Sequence, residues 1–314
     1  MTDTATPRGT AEAPRPAATV LLLREDEGRL EVLMTRRAAQ LAFLGSLWVF
    51  PGGRLEPADC SPEIAERVLP EARTACTRLR QMSGDPLDAS TSLGLHVAGC
   101  RETFEESGVL LARSRDGSAC DAGQMARLKA HRASIAASGA SFLDALIAED
   151  LYLDVAPLVH WAHWITPAWE KRRYDTHFFA IEVPAAQEAE VDRTETTEHA
   201  WVTAGDALQR AQAGEMMMAP PTLATLTDLA ESYRRHGRLS AMLSAERNRR
   251  VPPILPKVLM ESGQVLVVLP WDPDYARLPG ESCRVLDGGY PEHLAHQPSR
   301  RTMPMPARGG TGGG

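Results

Sequence analysis

Residues 101–109 read Arg101-Glu102-Thr103-Phe104-Glu105-Glu106-Ser107-Gly108-Val109. On a helix, positions 102, 105 and 106 stand at i, i+3 and i+4 and share one face within a turn. Three carboxylates crowded there repel one another unless a cation lies between them. A hard divalent ion with an oxygen shell, Mg²⁺ above all, suits such a cluster. Arg101 opens the run and can anchor the helix or one carboxylate, while Gly108 supplies a C-terminal stop. A Glu-rich turn taken alone is more often a solvated acidic face. Context shifts that balance, because upstream lies Phe50-Pro51-Gly52-Gly53-Arg54-Leu55-Glu56-Pro57-Ala58-Asp59, a glycine turn leaving a strand and trailing an acid.

Working outward, Ala18–Leu23 and Leu30–Thr35 are apolar runs around an acidic turn, Glu25–Gly28, and predict a hairpin or meander. Val49–Phe50 is a short strand ended by Pro51-Gly52-Gly53. Residues 61–82 predict one helix with Ser61 as N-cap and Pro62 in its first turn. A second runs from about 92 to 107, with a strand at 109–112 after it. Residues 122–150 predict helix broken near Ser138-Gly139. Strands are expected at 159–166, 176–183 and 200–203, helices at 204–212 and 221–236, and a hairpin at 258–269. Elements alternate without regular βαβ units, so the class is a mixed α/β or α+β sandwich.

The chain has 314 residues, 43% apolar and 24% charged, which is globular composition. Its net charge of −7 argues against a broad grip on nucleic acid or anionic lipid. No apolar run approaches the roughly 20 residues that span a bilayer, and the amino terminus lacks a secretory core. The five cysteines show no CxxC spacing, so neither a disulfide framework nor a zinc cage is expected. A Gly-x-Ser-x-Gly elbow and a Gly-x₄-Gly-Lys-Ser/Thr loop are both missing. These features read as a cytoplasmic protein, and the excess of Arg over Lys points to a GC-rich bacterial source.

Together, residues 50–59 and 101–109 resemble the Nudix box: Gly, five residues, Glu, seven residues, then Arg-Glu-apolar-x-Glu-Glu-x-Gly-apolar. Counted from Gly53, the first acid is Asp59, and 41 residues precede Arg101 where the pattern has seven. The box is therefore split by a 34-residue insertion. Asp59 replaces Glu, which leaves its ion pair with Arg101 open, and Thr103 takes a place that is normally apolar. A box split this way is similar to the nucleoside diphosphate-linked moiety X motif nineteen group, whose mammalian members are peroxisomal coenzyme A diphosphatases. Trp164–Pro167, Arg172–Phe179, Pro253–Leu255 and Val265–Pro270 are also similar to that group.

The resemblance implies a Nudix α/β/α sandwich with a mixed sheet, plus extra helices from the insertion. It divides the chain into a disordered tail (1–16), a Nudix domain (17–276, with 60–93 inserted) and a largely flexible extension (277–314). Glu102, Glu105 and Glu106 would hold Mg²⁺ or Mn²⁺, with the Gly53 carbonyl as a further ligand. The helix would pack through Val97, Ala98 and Phe104. Arg101, Glu105, Glu106 and Glu198 are the expected catalytic residues, and Glu105, Glu195 and Glu198 are the alternatives for general base. The implied reaction is attack of water on coenzyme A or acyl-coenzyme A, giving 3′,5′-ADP and a 4′-phosphopantetheine species.

A second signature supports this substrate. Leu33-Met34-Thr35-Arg36-Arg37-Ala38 followed by Phe50–Gly53 has the spacing of the coenzyme A motif, although Ala42 stands where that motif has Arg and Ser46 where it has Gly. Arg37, Gly52, Gly53, Arg54 and Arg173 are the expected substrate contacts, with Arg36 and Arg172 nearby. The alternatives are the same reaction on ADP-ribose, NADH or FAD, and a non-catalytic nucleotide-sensing module. The expected partner is thus a small nucleotide, without nucleic acid or membrane, and a homodimer is a family habit. His160-x-x-His163 is rejected as a metal pair, since strand residues three apart face opposite sides. Met216–Met218 is read as core or loop before a helix capped at Thr222, with an acyl-chain groove as the minority alternative.

Overall fold

In the computed structural model, the first strand begins at Arg15, inside the stretch expected to be a tail. The structure describes residues 12–38, 46–82, 87–138, 141–184, 187–190, 196–261, 264–283, 290–295 and 297–303. Expectations about Ala42, Gly139, Glu195, the Ser262-Gly263 turn and the two chain ends fall outside these residues.

In chain order the elements are β1 (Arg15–Asp26), β2 (Arg29–Arg37), β3 (Trp48–Val49), β4 (Gly52–Arg54), α1 (Pro62–Ala65), α2 (Ala72–Met82) and α3 (Ala89–Ser107). Then come β5 (Ala112–Ser114), α4 (Ala122–Ser138), α5 (Phe142–Ala148), β6 (Leu151–Leu153), β7 (Val159–Ile165), β8 (Tyr174–Glu182) and β9 (Thr196–Thr203). The last are α6 (Ala204–Gln212), α7 (Pro220–His236), α8 (Leu239–Glu246), β10 (Pro253–Ile254), β11 (Lys257–Glu261), β12 (Gln264–Val268), α9 (Glu292–Ala295) and β13 (Arg300–Met303).

β1 and β2 meet antiparallel across a two-residue turn, Glu27-Gly28, both with positive φ, as a tight hairpin requires. β1 also runs parallel to β8 along nine residues, and β4 pairs with β1 at Ala17–Thr19. The main sheet follows β10-β7-β8-β1-β2-β3, with β4 on β1 and β9 on β2. Its pairings are both parallel and antiparallel, so the sheet is mixed.

Both faces of this sheet are covered. Ala18, Val20 and Leu22 point to one side, into a core with Leu95, Ala98 and Phe104 of α3. Leu21 and Leu23 point to the other, into a core with Leu226 and Leu229 of α7 and Met242 of α8. Period-two alternation thus delivers apolar side chains to both layers, which is why β1 reads as one unbroken apolar run. The arrangement is the expected α/β/α sandwich.

Several boundaries differ from expectation. The helix expected over 61–82 is two helices, because Leu69 N–H bonds the Leu153 carbonyl and Pro70 has no N–H to continue a ladder. Strand structure resumes at Ala112 rather than Val109. Ala219, not Thr222, caps α7, with Pro220 in the first turn and Thr222 buried. Past residue 277, β13 pairs with β12 while Leu294 and Gln297 are buried, so this part of the extension is built into the fold. Among the described residues no helix is long and apolar enough to cross a membrane.

Candidate active site

The site is assembled from one end of β1, the β4 loop and the last two turns of α3. Asp88 caps the start of α3 by accepting from Thr91 N–H, and Gly108 ends it in the left-handed region at φ +72°. Arg132 on α4 donates to the carbonyls of Glu105 and Glu106, each at 2.9 Å, neutralising the negative end of the helix. Sequence reasoning missed Arg132, since nothing in its spacing says which arginine of the 122–138 helix folds back onto α3.

Arg101 closes the split box. Its Nε and Nη2 grip Asp59 Oδ1 and Oδ2 at 2.9 and 3.0 Å, a bidentate pair with the Asp59 side chain only 3% exposed. Nη2 also donates to the Arg54 carbonyl at 2.9 Å, while Nη1 donates to Glu102 at 2.8 Å and Glu105 at 3.2 Å. Asp59 reaches this position because the short 3₁₀ turn at Pro57–Cys60 folds it back, where it also accepts from Glu56 N–H at 2.9 Å. The shorter acid therefore makes the ion pair, and the 34-residue insertion (α1, α2 and their turns) leaves it intact.

The glycine loop meets the acids directly. Gly52 N–H donates to Glu106 Oε2 at 3.2 Å. A Cβ on Gly53 would lie 2.2 Å from Glu102 Oε1, so the absent side chain is the space the carboxylate fills. Glu102 thus abuts Gly53 and Glu106 meets Gly52, while Arg101 ties Glu105 to Glu102. Burial lifts the Glu105 carboxyl to about 7; Arg101 opposes this and Glu102 adds to it. Burial also works against the Arg101 charge, but Asp59, Glu102 and Glu105 hold the guanidinium above its ordinary range.

This oxygen-rich set fits a hard divalent ion. Glu102, Glu105, Glu106 and Asp59 together bring more negative charge than Arg101 can neutralise, and the group is only partly buried. A divalent cation would offset that surplus.

The other expected residues scatter. Arg37 ends β2, and its buried Nε has no hydrogen-bond partner among the described residues. Arg54 is exposed at the loop, with its carbonyl held by Arg101. Arg173 must be corrected as a substrate contact. It is 4% exposed, and its donors go to the Glu281 carboxylate, the Thr166 carbonyl at 2.9 Å and the Glu12 carbonyl at 3.4 Å. It pins the start of β8. Glu198 lies within β9, not in a loop before a strand, and Arg36 Nη1 donates to it at 2.8 Å. Ser46, where the coenzyme A motif has Gly, takes φ +66°, the conformation that glycine supplies freely.

His160 and His163, expected on opposite sides of their strand, share one. The β7–β8 register slips between His160 and Ala162, and this bulge places both histidines on the α3 side of the sheet.

A mixed sheet between helical layers, with a glycine loop facing a helix-borne carboxylate trio, defines a Nudix architecture. The sequence profile of the NUDT19 Nudix domain matches residues 9–229, and the chain belongs to that family. Acyl-coenzyme A diphosphatase NUDT19 of Gallus gallus is 30% identical over 251 aligned residues, covering 66% of this chain and 65% of that protein. The Xenopus laevis protein of the same name is 24% identical over 225, covering 63% and 59%. The chain therefore spans slightly less than two thirds of these relatives' length. The crystal structure of a NUDIX hydrolase from Alicyclobacillus acidocaldarius shares the fold, with TM-score 0.57, 27% identity, and coverage of 75% of this chain and 97% of that one. The vertebrate relatives run against the bacterial source read from the Arg excess.

Proposed function

We propose that the chain is a Nudix diphosphatase that uses Mg²⁺ or Mn²⁺ to hydrolyse coenzyme A or acyl-coenzyme A to 3′,5′-ADP and (acyl-)4′-phosphopantetheine. The observation that carries this reading is the closed box: Arg101 joins Asp59, Glu102 and Glu105 across the insertion, and Gly52 steers Glu106. A divalent ion held by Glu102, Glu105 and Glu106, with the Gly53 carbonyl beside them, would supply positive charge to the diphosphate oxygens and acidify a water.

The protein's own groups supply orientation. Arg101 Nη1 bridges Glu102 and Glu105 and so holds the two carboxylates together. The Gly52 N–H fixes Glu106, and the bare Gly53 lets substrate approach the loop closely. Glu105 is the better-matched base: it lies on the carboxylate face with burial lifting it to about 7, whereas Glu198 is exposed on β9 and paired with Arg36. No side-chain nucleophile is required. Arg37, whose buried Nε has no hydrogen-bond partner among the described residues, is the arginine assigned to a phosphate of the nucleotide. The curated relatives named for acyl-coenzyme A support the substrate class.

A substrate panel tests this. With Mg²⁺ or Mn²⁺ present, coenzyme A or an acyl thioester is expected to show the highest kcat/KM and to release 3′,5′-ADP. A higher value for ADP-ribose, NADH or FAD would reject the substrate, and turnover of none would leave a nucleotide-sensing module.

A further inference from the structure

The bulge at Trp161 gathers three histidines and an aspartate under α3, on the other side of β1 from the glycine loop: Ala18 pairs with His177 on one side and with Gly53 on the other. His163 and His177 are opposite one another in the β7–β8 register, and their rings stack 4.0 Å apart with planes inclined by 19°. His163 Nε2 contacts Asp175 Oδ1. One ligand atom from each of His163, Asp175 and His177 lies within 4.8 Å of the other two. His163 and His177 are almost wholly buried, and Asp175 opens the group to solvent with its side chain 34% exposed.

We propose that His163, Asp175 and His177 form a second metal site, for a first-row transition ion such as Zn²⁺. Two imidazoles and one carboxylate are the donor set such ions take, with a fourth position left to water. Bonds of about 2.0–2.2 Å put neighbouring ligands roughly 3.4 Å apart, so His163 and Asp175 must part slightly, and one imidazole must turn out of the stack so that each ring meets the ion in its own plane. His160 occupies the supporting position: its Nε2 lies 3.0 Å from His177 Nδ1, orienting that ring as second partners of metal-bound histidines do. The site differs from the box in donor chemistry, so the two should sort ions: oxygens for Mg²⁺, imidazoles for Zn²⁺.

The test is a Co²⁺ and Zn²⁺ titration of chelator-stripped full-length protein in excess Mg²⁺, read by Co²⁺ visible absorption and by elemental analysis after gel filtration. Wild type should take up one equivalent with a low-symmetry, four-coordinate Co²⁺ spectrum that Zn²⁺ abolishes. His177→Gln should abolish uptake, Asp175→Asn should weaken it at least about tenfold, and Glu106→Gln should leave it unchanged. No uptake by wild type, uptake indifferent to both His177→Gln and Asp175→Asn, or loss in Glu106→Gln would overturn the site. Should circular dichroism show His177→Gln unfolded, the Asp175→Asn result decides.

Discussion

Two buried arginines, Arg101 and Arg173, differ in what surrounds them. Arg173 meets one carboxylate, the half-exposed Glu281, and spends its other donors on the backbone carbonyls of Thr166 and Glu12. Arg101 meets Asp59, Glu102 and Glu105 together, with Glu106 on the same helical turn. The first arrangement balances charge one for one and fastens a strand. The second leaves a surplus of negative charge at the surface of a folded core. Folding alone gains nothing from such a surplus, since like charges repel; a bound cation gives it a use.

The contrast is broken most severely at Arg101 itself. Arg101→Met leaves Asp59 buried and uncompensated and is expected to cost about 3–5 kcal/mol in denaturant unfolding. Arg173→Met returns Glu281 to water and orphans backbone acceptors, for about 1–2 kcal/mol, with kcat/KM little changed. Equal losses for the two would erase the distinction.

Glu106→Gln removes charge at nearly constant shape. Turnover should fall by at least about a hundredfold while the thermal midpoint holds or rises, because repulsion is relieved. Undiminished turnover would remove Glu106 from the site.

The glycines refine the same division. A Cβ at Gly52 meets backbone, 2.5 Å from the Ala18 carbonyl, so Gly52→Ala should cost about 1–3 kcal/mol of stability. At Gly53 the Cβ meets only the end of Glu102, a movable side chain. Gly53→Ala should therefore fold almost normally yet lose at least about tenfold in kcat/KM through the displaced carboxylate. The smallest effect belongs to Ser46→Gly, which releases a left-handed backbone and should add up to about 1 kcal/mol of stability.

Much of this was legible in the chain. The carboxylate spacing on α3, the Gly108 stop and the β1–β2 hairpin follow from periodicities of 3.6 and 2 that survive in any context. The partner of Arg101 was legible only through the resemblance, because the insertion hides Asp59 from local spacing and a 3₁₀ turn brings it back. The Arg132 cap, the α1–α2 break and the role of Arg173 depend on contacts between distant segments. His160 and His163 show the hardest case: a single bulge reverses the face of every residue beyond it, and strand alternation gives no warning.

The central claim, that the interrupted box still grips a cation, is tested most directly by Mn²⁺ binding followed by electron paramagnetic resonance, with Zn²⁺ present to occupy the histidines. Wild type should remove free Mn²⁺ signal stoichiometrically, and Glu102→Gln with Glu106→Gln should restore it. Wild type that leaves Mn²⁺ free, or a double variant that still binds it, contradicts the account.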